Sequence, residues 1–260
     1  MMHPNNTMQN VEDFTKIESI FVRHRNCLLL RGQFTEIYTD HYLHLMENGI
    51  RYPAELDAML KDALAMLILH LCARPWSETI AWTANLRAPR INLFVTGSSN
   101  ERYITGRVFT EDIREPDRNF FYSQTTTPTS NEPSVSTMEV EGRDPIAWVS
   151  QFYGQSEQRP ARAFRLEDEN FALIAAQPDA DLDWLAGLDE EKVAAIDSTE
   201  ETSLLETRHF RFHCGCTLEK ILPVLGSWRE KPAELFHEAE TITVQCPRCA
   251  ASYLVSRDMI

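Results

Sequence analysis

The sequence predicts an α+β fold: an N-terminal core of antiparallel β-sheets packed with helices, a helical acidic linker, and a small C-terminal zinc-binding domain. Three observations carry this. Residues 1–176 hold alternating strand patterns in runs, separated by apolar stripes at helical spacing. Residues 177–207 hold ten acids against one base, Lys192, a net of −9. Residues 208–260 hold four of the six cysteines, in two clusters. These boundaries are taken as a core domain, a linker and a cysteine domain.

Ile17 to Tyr38 reads as extended structure. Its run Cys27-Leu28-Leu29-Leu30 suits a strand buried on both faces, with Cys27 a small core hydrophobe. Thr39 to Asn48 reads as a short helix stopped by Gly49. Pro53 suits the first residue of a long helix, and Leu56, Met59, Leu60, Ala63, Leu64, Leu67, Ile68 and Leu71 recur on one face of it. Arg74-Pro75 ends it. Cys72 and His70 near its end read as packing residues.

Ile80, Trp82, Ala84 and Leu86 alternate as in a half-buried strand. Turns at 87–90 and 97–100 make a three-stranded meander of this strand, Ile91–Val95 and Arg102–Phe109. Glu111 to Asn119 is charged loop, and Phe120–Thr127 pairs with Ser134–Val140. Asp144-Pro145 starts a helix whose buried stripe is Ile146, Val149, Phe152 and Tyr153. Gln155 to Gln158 cap it and anchor the following loop. Ala161–Glu167 and Phe171–Ala176 form a further strand pair.

Leu182, Leu185, Leu188, Val193 and Ile196 give the linker an apolar rhythm that suits short helices. Self-repulsion and thin hydrophobicity make it the least stable part of the fold. Arg208 to His213 alternates as a strand leading into the cysteine domain. Thr217 caps a helix that Pro223 shortens, Lys231-Pro232 starts another, and Thr241–Gln245 and Ala251–Val255 are strands.

Cys214-Gly215-Cys216 and Cys246-Pro247-Arg248-Cys249 flank 29 residues. Two such pairs supply the four ligands of a tetrahedral zinc site. About fifty residues rarely bury enough core to fold alone, and a structural metal commonly makes up the deficit. His209, His213 and His237 lie nearby as surface or supporting residues, because four thiolates already complete a site. A closed four-thiolate site leaves no position for water, so hydrolytic zinc catalysis is not expected. Thiolates can instead be oxidised to sulfenic acids that a neighbouring cysteine resolves to a disulfide.

The formal charge of −14 and a pI near 5.0 argue against a nucleic-acid partner. Met1 to Asn10 is polar, without the apolar stretch of a signal peptide, and no apolar run is long enough to span a bilayer. A cytoplasmic location follows as an expectation, and there clustered cysteines hold metal or sense redox state.

Beyond the cysteines, the segment Phe152-Tyr153-Gly154-Gln155-Ser156-Glu157-Gln158-Arg159-Pro160 stands out. So do Arg31-Gly32 after an apolar strand, the Tyr52-Pro53 helix start, and Tyr253-Leu254-Val255 with Asp258-Met259-Ile260 at the C-terminus. Together with the cysteine pattern these resemble the redox-regulated heat-shock chaperones, the bacterial holdases with a zinc switch. The resemblance runs over essentially the whole chain.

It implies an ATP-independent chaperone, not an enzyme. Zinc on Cys214, Cys216, Cys246 and Cys249 would keep the reduced form nearly inactive. Oxidation would join Cys214 to Cys216 and Cys246 to Cys249, unfold the zinc domain and linker, favour a homodimer, and expose apolar surface to unfolded client proteins. The sequence departs from the family's pattern at Leu86-Arg87-Ala88-Pro89, at Glu169-Asn170 and at Ala250, all positions where glycine is usual. Two alternatives are the same fold with a purely structural zinc, acting as a constitutive protein-binding module, and a thiol–disulfide oxidoreductase using Cys246 and Cys249.

Overall fold

The structure is a computed structural model that describes residues 14–130, 132–228 and 230–260. The polar start of the chain, Met1 to Asn10, lies outside the described residues.

In chain order the elements are β1 (Thr15–Val22), β2 (Cys27–Gln33), α1 (Thr35–Glu47), α2 (Ala54–Cys72), β3 (Thr79–Arg87), β4 (Arg90–Ser98) and β5 (Tyr103–Phe109). Then come β6 (Phe120–Thr126), β7 (Ser134–Glu139), α3 (Pro145–Gln155), β8 (Ala161–Arg165) and β9 (Asn170–Ala176). The acidic segment holds α4 (Leu182–Ala186), α5 (Glu190–Ala194) and α6 (Ile196–Thr199), and runs into β10 (Thr202–Phe212). The C-terminal stretch holds α7 (Leu218–Ile221), a 3-10 helix over Leu222–Trp228, α8 (Pro232–Phe236), β11 (Thr241–Gln245) and β12 (Ser252–Ser256).

Ten strands form one sheet in the order β7-β6-β3-β4-β5-β10-β1-β2-β9-β8. All its pairings are antiparallel except β5 with β10, which run parallel. The architecture is therefore α+β with one large mixed sheet.

Two sequence expectations are corrected. The stretch read as extended to Tyr38 is a hairpin followed by helix: His24 and Asn26 take positive φ in the turn, and α1 already starts at Thr35. Continuous apolarity marked β2 but could not show where it stopped. The strand expected over Arg208–His213 starts earlier, at Thr202, and lies between β1 and β5 in the large sheet. Buried Arg208, Phe210 and Phe212 explain this: each needs a core neighbour, and the Arg208 guanidinium donates to the carbonyls of Leu71 and Arg74.

The core is organised on α2, buried over nearly its whole circumference and packed on β4, β5, β9 and α3. His70 on it is fully enclosed and bonds Tyr153 Oη at 3.0 Å, among Trp82, Phe121 and Phe152. Cys72 is buried in the same core. Close packing of β1 on β2 needs Gly32, where a Cβ would stand 2.9 Å from the Lys16 carbonyl oxygen. Asp144 caps α3 through the Ile146 N–H, and Glu157 just after it anchors Arg74 at 3.0 Å.

The opposite face of β1, β2, β9 and β8 carries a second core. Ile20, Val22, Cys27, Leu29, Phe164, Ala172, Ile174 and Ala176 project from the strands. Leu185, Leu188, Val193 and Ile196, the apolar rhythm of the acidic segment, cover them. The short helices are capped by Asp181 and Asp189, whose side chains accept from Trp184 N and Lys192 N.

Candidate functional site: the four-cysteine cluster

Between β11 and β12 the chain makes a tight knuckle. Cys246 N–H donates to the Ala251 carbonyl at 2.8 Å and Ala250 N–H to the Cys246 carbonyl at 2.9 Å. Ala250 closes it with φ +65°, the left-handed conformation that glycine takes without strain. Cys214 and Cys216 come from the segment after β10, turned at Gly215 with φ +64°. Thr217 caps α7 directly behind them.

The four cysteine sulfurs all lie within 4.8 Å of one another. Cys214 Sγ is 3.7 Å from Cys246 Sγ, and Cys216 Sγ is 3.5 Å from Cys249 Sγ. A tetrahedral zinc with sulfur at about 2.3 Å has edges of about 3.8 Å, so this donor set fits such an ion. All four thiols are free, Cys246 and Cys249 buried and Cys214 and Cys216 half-buried.

Hydrogen bonds from the Cys214 and Cys249 thiols, with the Arg248 and Cys249 backbone N–H groups, hold the Cys246 thiol far below its ordinary range. The reciprocal interaction with Cys246 pushes Cys214 up to about 12, and shared bonds to Cys214 and Cys246 raise Cys249. Tyr253 Oη donates to Cys216 Sγ at 3.0 Å.

Four cysteines singled out in the sequence are therefore brought together. Among the described residues, His209, His213 and His237 do not join a ligand cluster. Several neighbours carry no motif. His44 Nε2 donates to the Cys249 carbonyl at 2.8 Å, and Arg107 Nη1 to the Cys246 carbonyl at 2.9 Å. They stand 205 and 139 residues away in sequence, so only tertiary structure reveals them.

Comparison with known proteins agrees with this geometry. The profile of the Hsp33 protein family matches residues 165–256, which span the acidic segment and the cysteine cluster. The 33 kDa chaperonin of Proteus mirabilis is 24% identical, over 89% of this chain and 90% of its own. The crystal structure of the 33 kDa chaperonin from Thermotoga maritima superposes with a TM-score of 0.72 at 13% identity, covering 94% of this chain and 96% of that one. The chain is thus similar to the Hsp33 proteins, in sequence over residues 165–256 and in fold over nearly its whole length. In this Hsp33-like chain the α+β core carries four clustered cysteines, and Ala250 beside them takes a left-handed position that glycine would fill without strain. Among the described residues no helix is long and apolar enough to cross a membrane.

Proposed function

We propose that this chain is a redox-regulated, ATP-independent holdase, switched on by oxidation of Cys214, Cys216, Cys246 and Cys249. The observation that carries the reading is the position of the acidic segment. It covers a contiguous apolar sheet face, and it joins, through β10, the cluster of four cysteines. Each buried aliphatic side chain of the segment contributes roughly 1.5–3 kcal/mol, a thin anchorage for so acidic a stretch. Lifted away, it would leave a face of the kind that binds unfolded protein.

Zinc, when bound, would hold the four thiolates in one place and tie the C-terminal stretch together. The chain's own residues carry the redox chemistry. A cysteine thiolate attacks a hydroperoxide, the O–O bond breaks, and the sulfur becomes a sulfenic acid as hydroxide leaves and is protonated. A second thiolate of the cluster displaces that hydroxyl, so each disulfide passes two electrons to one peroxide. The pairs we propose are Cys214 with Cys216 and Cys246 with Cys249. Their sulfurs must close to about 2.05 Å, which removes all four metal ligands at once.

In this reading residues 1–176 are the client-binding and dimerising core, 177–207 the linker and 208–260 the redox-switch domain, with β10 straddling the last boundary. The partners are unfolded client proteins and, when oxidised, a second copy. The compartment is the reducing cytoplasm, and no substrate is turned over. A second reading, structural zinc in a constitutive binding module, is favoured by β10 lying between β1 and β5, where it resists release. Peroxide with mild heat separates the two. The switch gives zinc loss together with suppression of client aggregation, and Cys246→Ser abolishes the dependence on oxidant. The static reading gives four oxidant-resistant sulfurs.

A further inference from the structure

We infer that Arg107, His44 and Asn48 lock the second cysteine pair onto the core and restrain its oxidation; the inference rests on the redox reading above. Both cysteines of that pair have their carbonyls held by core side chains. Arg107, on β5, donates Nη1 to the Cys246 carbonyl and Nη2 to Gln245 Oε1, each at 2.9 Å. Its guanidinium carbon sits 4.0 Å from the centroid of the Phe109 ring, which orients the fork. His44, on α1, donates Nε2 to the Cys249 carbonyl. Asn48 braces the end of α1 beside it: its amide Nδ2 donates to the His44 carbonyl at 2.9 Å and lies 3.5 Å from His44 Nδ1. Asn48 Oδ1 also accepts from Ser252 N–H at 3.3 Å.

The first pair is held differently. Its side-chain bonds come from within the C-terminal stretch, Tyr253 to Cys216 Sγ and Lys220 to the Gly215 carbonyl. Among the described residues, the second pair alone has its cysteine carbonyls held by core side chains, while the first pair is joined to the core by backbone, through β10 and the His213 N–H to the Ile104 carbonyl. Joining Cys246 to Cys249 must draw their sulfurs to about 2.05 Å and reshape the knuckle, while two core donors hold both carbonyls where the four-sulfur arrangement needs them. The lock therefore opposes disulfide formation, and the disulfide in turn frees the knuckle from α1 and β5. Arg107, His44 and Asn48 touch no sulfur; they are positioning residues.

The test measures thiol loss at Cys246 and Cys249 by mass spectrometry, at fixed peroxide and without client, on full-length zinc-loaded protein. Zinc transfer to a chelator is followed in parallel. Arg107→Ala should oxidise about tenfold faster, the scale of one hydrogen bond to a charged donor. Arg107→Lys, which keeps one donor and the charge, should fall between. Reduced-state zinc content should stay at the wild-type level, which a general loss of fold would not allow. If Arg107→Ala does not hold zinc, His44→Ala against His44→Gln decides, with the amide restoring the slower rate. Oxidation and zinc transfer within twofold of wild type in both Arg107→Ala and His44→Ala would overturn the lock. Normal acceleration without any gain in aggregation suppression would instead defeat the holdase reading and leave the lock standing.

Discussion

Arg25 grips Glu200 with both arms of its guanidinium, Nε to Oε2 at 3.0 Å and Nη2 to Oε1 at 3.1 Å. Its third nitrogen reaches Asp181 Oδ2 at 2.7 Å. Asp181 opens the helices of the acidic segment and Glu200 closes them, so one residue in the β1–β2 turn ties down both ends. Backbone bonds reinforce the tie: Asp181 N–H donates to the Arg25 carbonyl, and Arg23 N–H to the Glu201 carbonyl. Arg25→Ala should loosen the segment while leaving the zinc cluster intact. Protease cleavage within residues 177–201 of the reduced protein should speed up, and its salt dependence should shrink, because the screened pairs are gone.

Ile196 is the most buried aliphatic of the segment, 1% exposed against the β1–β2 face. Ile196→Ala should cost roughly 2–4 kcal/mol of local stability. The open population in the reduced state should then rise by roughly thirtyfold or more. Hydrogen exchange across α4 to α6 would register this as lost protection, with α2 unchanged.

Two enclosed histidines make the core acid-sensitive. Burial pushes His70 down to about 3 and His41 to about 4, from an ordinary value of 6.5. Both are neutral in the fold, whereas the unfolded chain binds their protons below 6.5. The unfolded state thus holds more protons between 6.5 and about 4, and stability falls as pH falls through that window. The slope is about 1.4 kcal/mol per pH unit for each histidine. His41 packs on Phe212, and its nearest carboxylate, Asp57, is 4.0 Å away. Urea midpoints measured from pH 7.5 to 5 should decline, and His41→Phe should remove about half of the slope.

Ala250 pays for a left-handed backbone at φ +65° beside Cys249. Glycine there relieves a strain of about 1–2 kcal/mol but gives up one buried methyl, worth about 0.8 kcal/mol. Ala250→Gly should therefore stabilise the reduced, zinc-bound knuckle by up to about 1 kcal/mol. Slower zinc transfer to a competing chelator is the expected result.

Much of this was legible because it is local. Period-two alternation located β3, and the capping residues Asp144 and Thr217 located α3 and α7. Cysteine spacing alone selected four residues whose sulfurs converge. What stayed hidden depends on long-range pairing. The alternation at 208–213 marked a strand leading into the cysteines but could not say that its partners are β1 and β5 or that it starts at Thr202. The acidic segment showed its thin hydrophobicity but not the face it covers, which is assembled from β1, β2, β8 and β9. His44 and Arg107 carry no signal in the sequence, because a hydrogen bond to a distant carbonyl leaves no pattern there.

The central claim is that oxidation of the cysteine cluster lifts the acidic segment from the sheet, and Cys27 reports on it. Cys27 is fully buried on the covered face, while Cys72 is buried in the core on α2, which the segment does not cover. After peroxide treatment and quenching, alkylation of the two thiols should be followed by mass spectrometry. The expected result is a large rise in Cys27 labelling over the reduced protein, with Cys72 still protected. Oxidised cluster cysteines with Cys27 as unreactive as before, or with Cys27 and Cys72 labelled alike, would contradict it.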